Sequence, residues 1–202
     1  RDFNARTVEN DLAMLQGEFA VKMYNVNTCK GFNFFAVLFR QFFYLLFNIY
    51  RFDMIFIWFA DYHSLLPVFF SRLFGKISIV NIGGYDADEI LIGSPKSFKE
   101  KFRRFCVSYT VKHASKLLPV SDAIKDHLTQ FVSPEKCETL YCCVDTEIFQ
   151  PPEVIPQKEN LVITVGGGGS FVKEALRKRL DFFIELGGKF NTIHPEYNAQ
   201  FY

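Results

Sequence analysis

Four short apolar runs, FDMIFIWFA (52–60), KISIVNI (76–82), LLPV (117–120) and ETLYCCV (138–144), are separated by stretches with helical periodicity. This alternation constrains the fold more than any other feature of the chain. Parallel strands cannot be joined by a tight turn and need a crossover, usually helical. Runs that stay apolar, instead of alternating with polar residues, point to a sheet covered on both faces. The expected class is therefore α/β, a doubly wound Rossmann-like parallel sheet.

The intervals carry their own punctuation. SLLPVFFSRLFG (64–75) reads as a helix with Pro67 in its first turn, where the missing N–H does no harm, and with Gly75 closing it. Residues 97–114 set Phe98, Phe102, Phe105 and Tyr109 at helical spacing, which predicts an apolar face of an amphipathic helix. Lys99, Lys101, Arg103, Arg104 and Lys112 occupy its other face, suited either to solvent or to anionic lipid headgroups. A helix capped by Ser121 or Asp122 runs to Phe131. Near the start, Val8, Leu12 and Leu15 share one helical face, and AVKMYNV (20–26) reads as a further strand.

GFNFFAVLFRQFFYLLFNIY (31–50) has the length of a membrane span, which needs ~20 apolar residues. Arg40 and Gln41 sit at its centre, and a central arginine costs about 2.5–3.5 kcal/mol on insertion. The next apolar run follows with no loop between. A buried or half-buried helix leading into a buried strand is expected, and a helix lying on a membrane surface is the alternative.

A net charge of +1 gives no global electrostatic reason to expect nucleic acid as a partner. The five cysteines, Cys29, Cys106, Cys137, Cys142 and Cys143, lack C-x2-C spacing, and no signal peptide is visible. Reduced thiols packed as small hydrophobes, no metal and a cytoplasmic location are the expectations. Starting at Arg1 and ending at Gln200-Phe201-Tyr202 in mid-element, the chain reads as a fragment of a longer protein.

Residues 1–150 read as one α/β domain and the proline-rich 151–160 as a linker. Residues 161–202 then read as the start of a second α/β unit, opening with a strand, the glycine run VGGGGS (165–170) and a helix. That run is not a P-loop, yet a strand, a glycine loop and a helix N-terminus can hold an anion.

Ligands of open parallel sheets bind beyond the carboxyl ends of the strands. Asp61-Tyr62-His63 leave the run 52–60, and Gly83-Gly84-Tyr85-Asp86 leave the run 76–82, so both clusters are expected on one rim. Glycines admit a close backbone approach, and carboxylate or imidazole groups can hydrogen-bond sugar hydroxyls. A plain turn with Asp86 as its cap is the competing reading.

Several passages carry a resemblance. KISIVNIGGYDAD (76–88), ASKLLPVSDAIKDHL (114–128), ETLYCCVDTEIFQPP (138–152) and LVITVG followed by RKRLDFFIEL (177–186) resemble, in order, segments of a family-4 glycosyltransferase. Members have two Rossmann-like domains facing a cleft, the GT-B fold. Val144, Asp145, Phe149 and Pro151 match the signature before the interdomain linker, with Cys142 and Cys143 in place of Asn-Gly. The resemblance implies an acceptor-side domain at 1–150, a linker at 151–160 and the start of a nucleotide-sugar-binding domain at 161–202. It also implies retaining transfer of a sugar from a nucleotide-sugar to a glycan or lipid-linked acceptor, with no cofactor, in the cytoplasm or at the inner face of the membrane. Asp61, His63, Gly83, Gly84, Tyr85 and Asp86 would line the acceptor side. Gly167 and Lys178 would meet the donor phosphate, and no residue is assigned to catalysis. Many relatives carry histidine where Gly83 stands, and Arg179 stands in for a motif glycine. The alternative is a non-catalytic α/β module that binds a glycan or a partner, associated with a membrane surface.

Overall fold

The computed structural model describes residues 3–26 and 33–142, together with Thr146 and Gln150. The chain divides into two compact units, Arg1–Cys143 and Val144–Tyr202, a division that falls a few residues before the linker expected at 151–160. All that follows concerns the first unit.

Three strands form its sheet: β1 (Met54–Trp58), β2 (Ile77–Ile82) and β3 (Lys116–Pro119). They lie in chain order and are all parallel, with Met54 opposite Ile77 and Ile79 opposite Lys116. Five helices accompany them: α1 (Phe3–Glu18), α2 (Asn33–Asn48), α3 (Leu65–Leu73), α4 (Phe98–His113) and α5 (Asp122–Leu128). Helix α3 connects β1 to β2 and α4 lies between β2 and β3, and the two helices pack on each other. This is the α/β parallel architecture that the alternating runs predict.

The helix boundaries follow from local chemistry. Pro67 lies in the first turn of α3, and Gly75 beyond its end has φ +64°, a conformation glycine adopts without steric cost. A capping box opens α4: Ser97 Oγ accepts from the Glu100 N–H, while the Glu100 carboxylate accepts from the Ser97 N–H. Ser121, not Asp122, caps α5 through the Ile124 N–H, and the helix ends at Leu128 instead of Phe131.

The core explains the rest. Ile57, Val80 and Leu117 are in register across the three strands and are buried with Val68 of α3 and Val107 and Val111 of α4. The opposite face, at Phe56, Trp58, Asn81 and Leu118, is only half-buried. Burial along β2 and β3 therefore alternates, which corrects the expectation of a sheet covered equally on both faces. Residues 20–26 form no strand; the part described is irregular and lies with Val8, Leu12 and Leu15 of α1 along a cavity beside β1. Residues 138–142 also fall short of a strand. They run beside β3 and give it two backbone hydrogen bonds, Glu138 N–H to Leu117 O and Leu140 N–H to Pro119 O.

The two aromatic helices depart most from expectation. In α4 the buried side chains are Cys106, Val107, Thr110 and Val111, whereas Phe98 is 86% exposed and Phe105 56% exposed. In α2 the buried positions are Gln41 and Leu45, and Phe35, Phe39 and Phe47 are each more than 60% exposed. Among the described residues, no helix is long and apolar enough to cross a membrane. Cys106 and Cys137 are buried as expected of small hydrophobes, and burial pushes the Cys106 thiol up to about 12. Cys142 is exposed, against expectation; Cys29 and Cys143 lie outside the described residues.

Candidate functional site

Parallel pairing brings the ends of β1 and β2 side by side, and the chain turns outward at both. Phe59 leaves β1 with φ +65°, a left-handed conformation that costs a bulky residue of order 1–3 kcal/mol. Its amide is held by Asn81 O at 3.0 Å. The next residues, Asp61-Tyr62-His63, cap and enter a short 3-10 turn (Tyr62–Ser64), with Asp61 Oδ1 accepting from the Tyr62 N–H at 2.8 Å.

At the end of β2 the two glycines have different causes. A Cβ on Gly83 would lie 2.6 Å from the Phe59 ring, so a side chain at this position requires that ring to shift. Gly84 has φ +112°, which L-residues rarely adopt. The turn leads into a π-helical segment (Asp86–Ile92), a form that often marks functional sites.

Asp86 joins the two strand exits. Its carboxylate accepts from the Ala60 N–H and the Gly84 N–H at 2.9 Å each, and from the Gly83 N–H at 3.4 Å. The residue is 4% exposed, and desolvation raises its pKa above the ordinary carboxylate value although the three N–H groups pull the other way. With three of its acceptor positions committed to backbone, Asp86 fixes the shape of the rim and has little left for a ligand.

The other polar side chains of the rim lie around it. His63 Nε2 is 3.0 Å from the Trp58 carbonyl oxygen, which can only accept, so Nε2 carries the proton. Asp61 pairs in bidentate fashion with the Arg103 guanidinium, Nε lying 2.8 Å from Oδ1 and Nη2 meeting Oδ2. Arg103 also lies over the rings of Tyr62 and Tyr85, at 5.8 and 5.1 Å from their centroids, and donates to Tyr85 Oη at 3.3 Å.

One cavity of about 1150 Å³ takes in Asp61, His63, Gly83, Tyr85, Asp86 and Arg103 at its polar end. It continues along β1 past Phe56 and Trp58 to the side chains of α1. Five of the six acceptor-side positions expected from the sequence thus share one wall, and Gly84 sits behind it. Two buried polar atoms lining this cavity, Tyr24 Oη and Gln41 Oε1, have no hydrogen-bond partner among the described residues. Among the described residues, no group of three His, Cys, Asp or Glu side chains is placed to hold a metal.

Arg103 and Phe59 are the members sequence reading missed. Arg103 falls at helical spacing from Cys106, Val107 and Thr110, the buried face of α4, which separates it from the exposed lysines. No sequence signal marks Phe59 as left-handed. The donor-side positions Gly167 and Lys178, with the matches at Val144, Asp145, Phe149 and Pro151, lie outside the described residues. No protein-family model matches the chain, and a search of curated proteins finds no match to it.

Proposed function

We propose that the first unit is the acceptor-side domain of a glycosyltransferase of the two-domain GT-B kind. The reaction moves a sugar from a nucleotide-sugar to a hydroxyl of a glycan or lipid-linked acceptor, with retention. The observation that carries this reading is the single cavity at the carboxyl ends of β1 and β2, with Asp61, His63, Tyr85 and Arg103 on its wall. Carboxylate, imidazole, phenol and guanidinium groups on one rim suit an array of sugar hydroxyls.

In this scheme the rim orients the acceptor, while cationic groups and a helix N-terminus stabilise the departing diphosphate. Lys178 and the Gly167 loop would supply the second function. No metal or cofactor enters the scheme.

Two measurements on the protein carrying this chain test the proposal: turnover of nucleotide-sugars with glycan and lipid-linked acceptors, and equilibrium binding of the same acceptors. The expected result is turnover abolished by Lys178→Ala with acceptor binding kept, and acceptor affinity lowered tenfold or more by Tyr85→Phe with Asp61→Asn. Acceptor binding with no turnover would make the domain a non-catalytic glycan-binding module. Neither binding nor turnover would overturn both readings.

A further inference from the structure

The outer surface of the helical layer is apolar where a globular protein is normally polar. On α2 the outward stripe includes Phe35, Phe39, Phe43 and Phe47, while Gln41 is turned inward and its Nε2–H donates to the His63 carbonyl at 2.9 Å. Ring contacts run along α2 and anchor it to the core. Phe39 touches Phe43, Phe43 touches Phe47 and Phe42, and Phe42 packs on the buried Phe70 of α3. On the other side Phe34 meets Tyr62, which stacks on Phe102 of α4, and Phe102 leads to Phe105 and Tyr109. With roughly 150–250 Å² per aromatic side chain, the exposed fractions amount to on the order of 1,000 Å² of apolar surface. The largest patch on a typical monomer is about 300–600 Å².

The charges on this layer are mostly positive. Helices α2 and α3 contain Arg40 and Arg72, both exposed, and no acidic residue. On α4, Lys101 and Lys112 are exposed and fall at helical spacing with Phe98 and Phe105, so cations flank the outward rings. The only acidic side chain in the three helices is Glu100, in the capping box of α4. A protein partner would have to match a broad cationic and aromatic face. An anionic bilayer surface matches it without a tailored shape, taking rings to the acyl boundary and lysines to the headgroups.

We infer that the outer face of α2, α3 and α4 docks this protein on an anionic lipid bilayer as a peripheral contact, with no span. The inference goes beyond the sugar-acceptor reading and does not rest on it, since lipid docking needs no donor and the exposed rings of α2 lie away from the rim carboxylates.

Co-sedimentation of the full chain with vesicles tests it, comparing phosphatidylcholine containing phosphatidylglycerol with phosphatidylcholine alone. Expected is binding to the anionic vesicles that falls at least tenfold without phosphatidylglycerol or at about 1 M salt, where screening lengths shrink to about 3 Å. Phe39→Glu with Phe47→Glu removes binding, and Lys101→Glu with Lys112→Glu lowers it about tenfold or more, at roughly fivefold per cation. Met14→Glu, at an exposed site on α1, leaves binding unchanged. All four helix substitutions are at exposed positions, and an unchanged circular dichroism spectrum confirms each fold. Absence of vesicle binding, or binding indifferent to both pairs, overturns the inference. So does a dimer by light scattering that Phe39→Glu with Phe47→Glu splits, which would assign the face to a second copy.

Discussion

The rim at the strand exits and the outer face of the helical layer are built on opposite principles. At the rim most polar groups have partners: Asp86 holds three amides, Asp61 holds Arg103, and Arg103 lies between two tyrosine rings. On the outer face large rings touch mainly one another and solvent, and the one buried side-chain amide of α2 points inward. The rim is held in shape by directional bonds that lose energy when any partner is removed. The outer face holds its shape through the helices beneath it, so its side chains are replaceable as far as folding is concerned. Substitutions at the two regions should therefore separate cleanly in stability.

Asp86→Ala gives the largest effect, because it strands the Ala60, Gly83 and Gly84 amides. At about 1–3 kcal/mol for each buried donor left unpaired, a loss of about 3 kcal/mol or more is expected in urea denaturation. The same residue has a pH signature. Its folded pKa is raised, so its contribution to stability is complete below the unfolded carboxylate value and is lost as pH rises through the folded one. Comparing Asp86→Asn with the parent over that window checks the sign: the parent should lose stability relative to the variant as pH increases. An opposite slope would mean that the amide bonds outweigh desolvation.

Next in size is Gly83→Ala. The added methyl meets the Phe59 ring, which should cost about 1–3 kcal/mol. In Phe59→Gly, which frees the space and relaxes the left-handed backbone, the same change should be nearly neutral, giving a coupling of about 1–3 kcal/mol in a double-mutant cycle. Additive effects would show that the two residues do not constrain each other.

Arg103→Ala should cost only about 1 kcal/mol in stability, since the ion pair with Asp61 is partly exposed. Its effect on acceptor affinity should be larger than that. Smallest of all, Phe39→Ser on the outer face should stay within about 0.5 kcal/mol. A large loss there would break the contrast between the two regions.

The three strands of the sheet and the helices joining them were legible because β-branched runs and 3.6-residue periodicity are local signals. The rim was legible too, since chain exits from adjacent parallel strands must share an edge. Which face of α4 is buried was not. Periodicity places Phe98, Phe105 and Tyr109 together, but burial depends on what packs opposite, and there the smaller Cys106, Val107 and Thr110 fit against α3 and the sheet. AVKMYNV reads as a strand from its composition, yet a strand exists only by pairing, and the described structure gives those residues no paired neighbour in the sheet. The role of Asp86 as a brace, in place of a ligand group, needed coordinates because the residues it holds lie on two different strand exits.

The contact between the Phe59 ring and the space above Gly83 also bears on how such a rim can change over generations. A side chain at position 83 is accepted only if the phenylalanine ring moves aside or is lost. Loss of the ring at 59 opens that space, so a change there makes a later side chain at 83 less costly. One van der Waals contact thus favours one order of the two changes over the other.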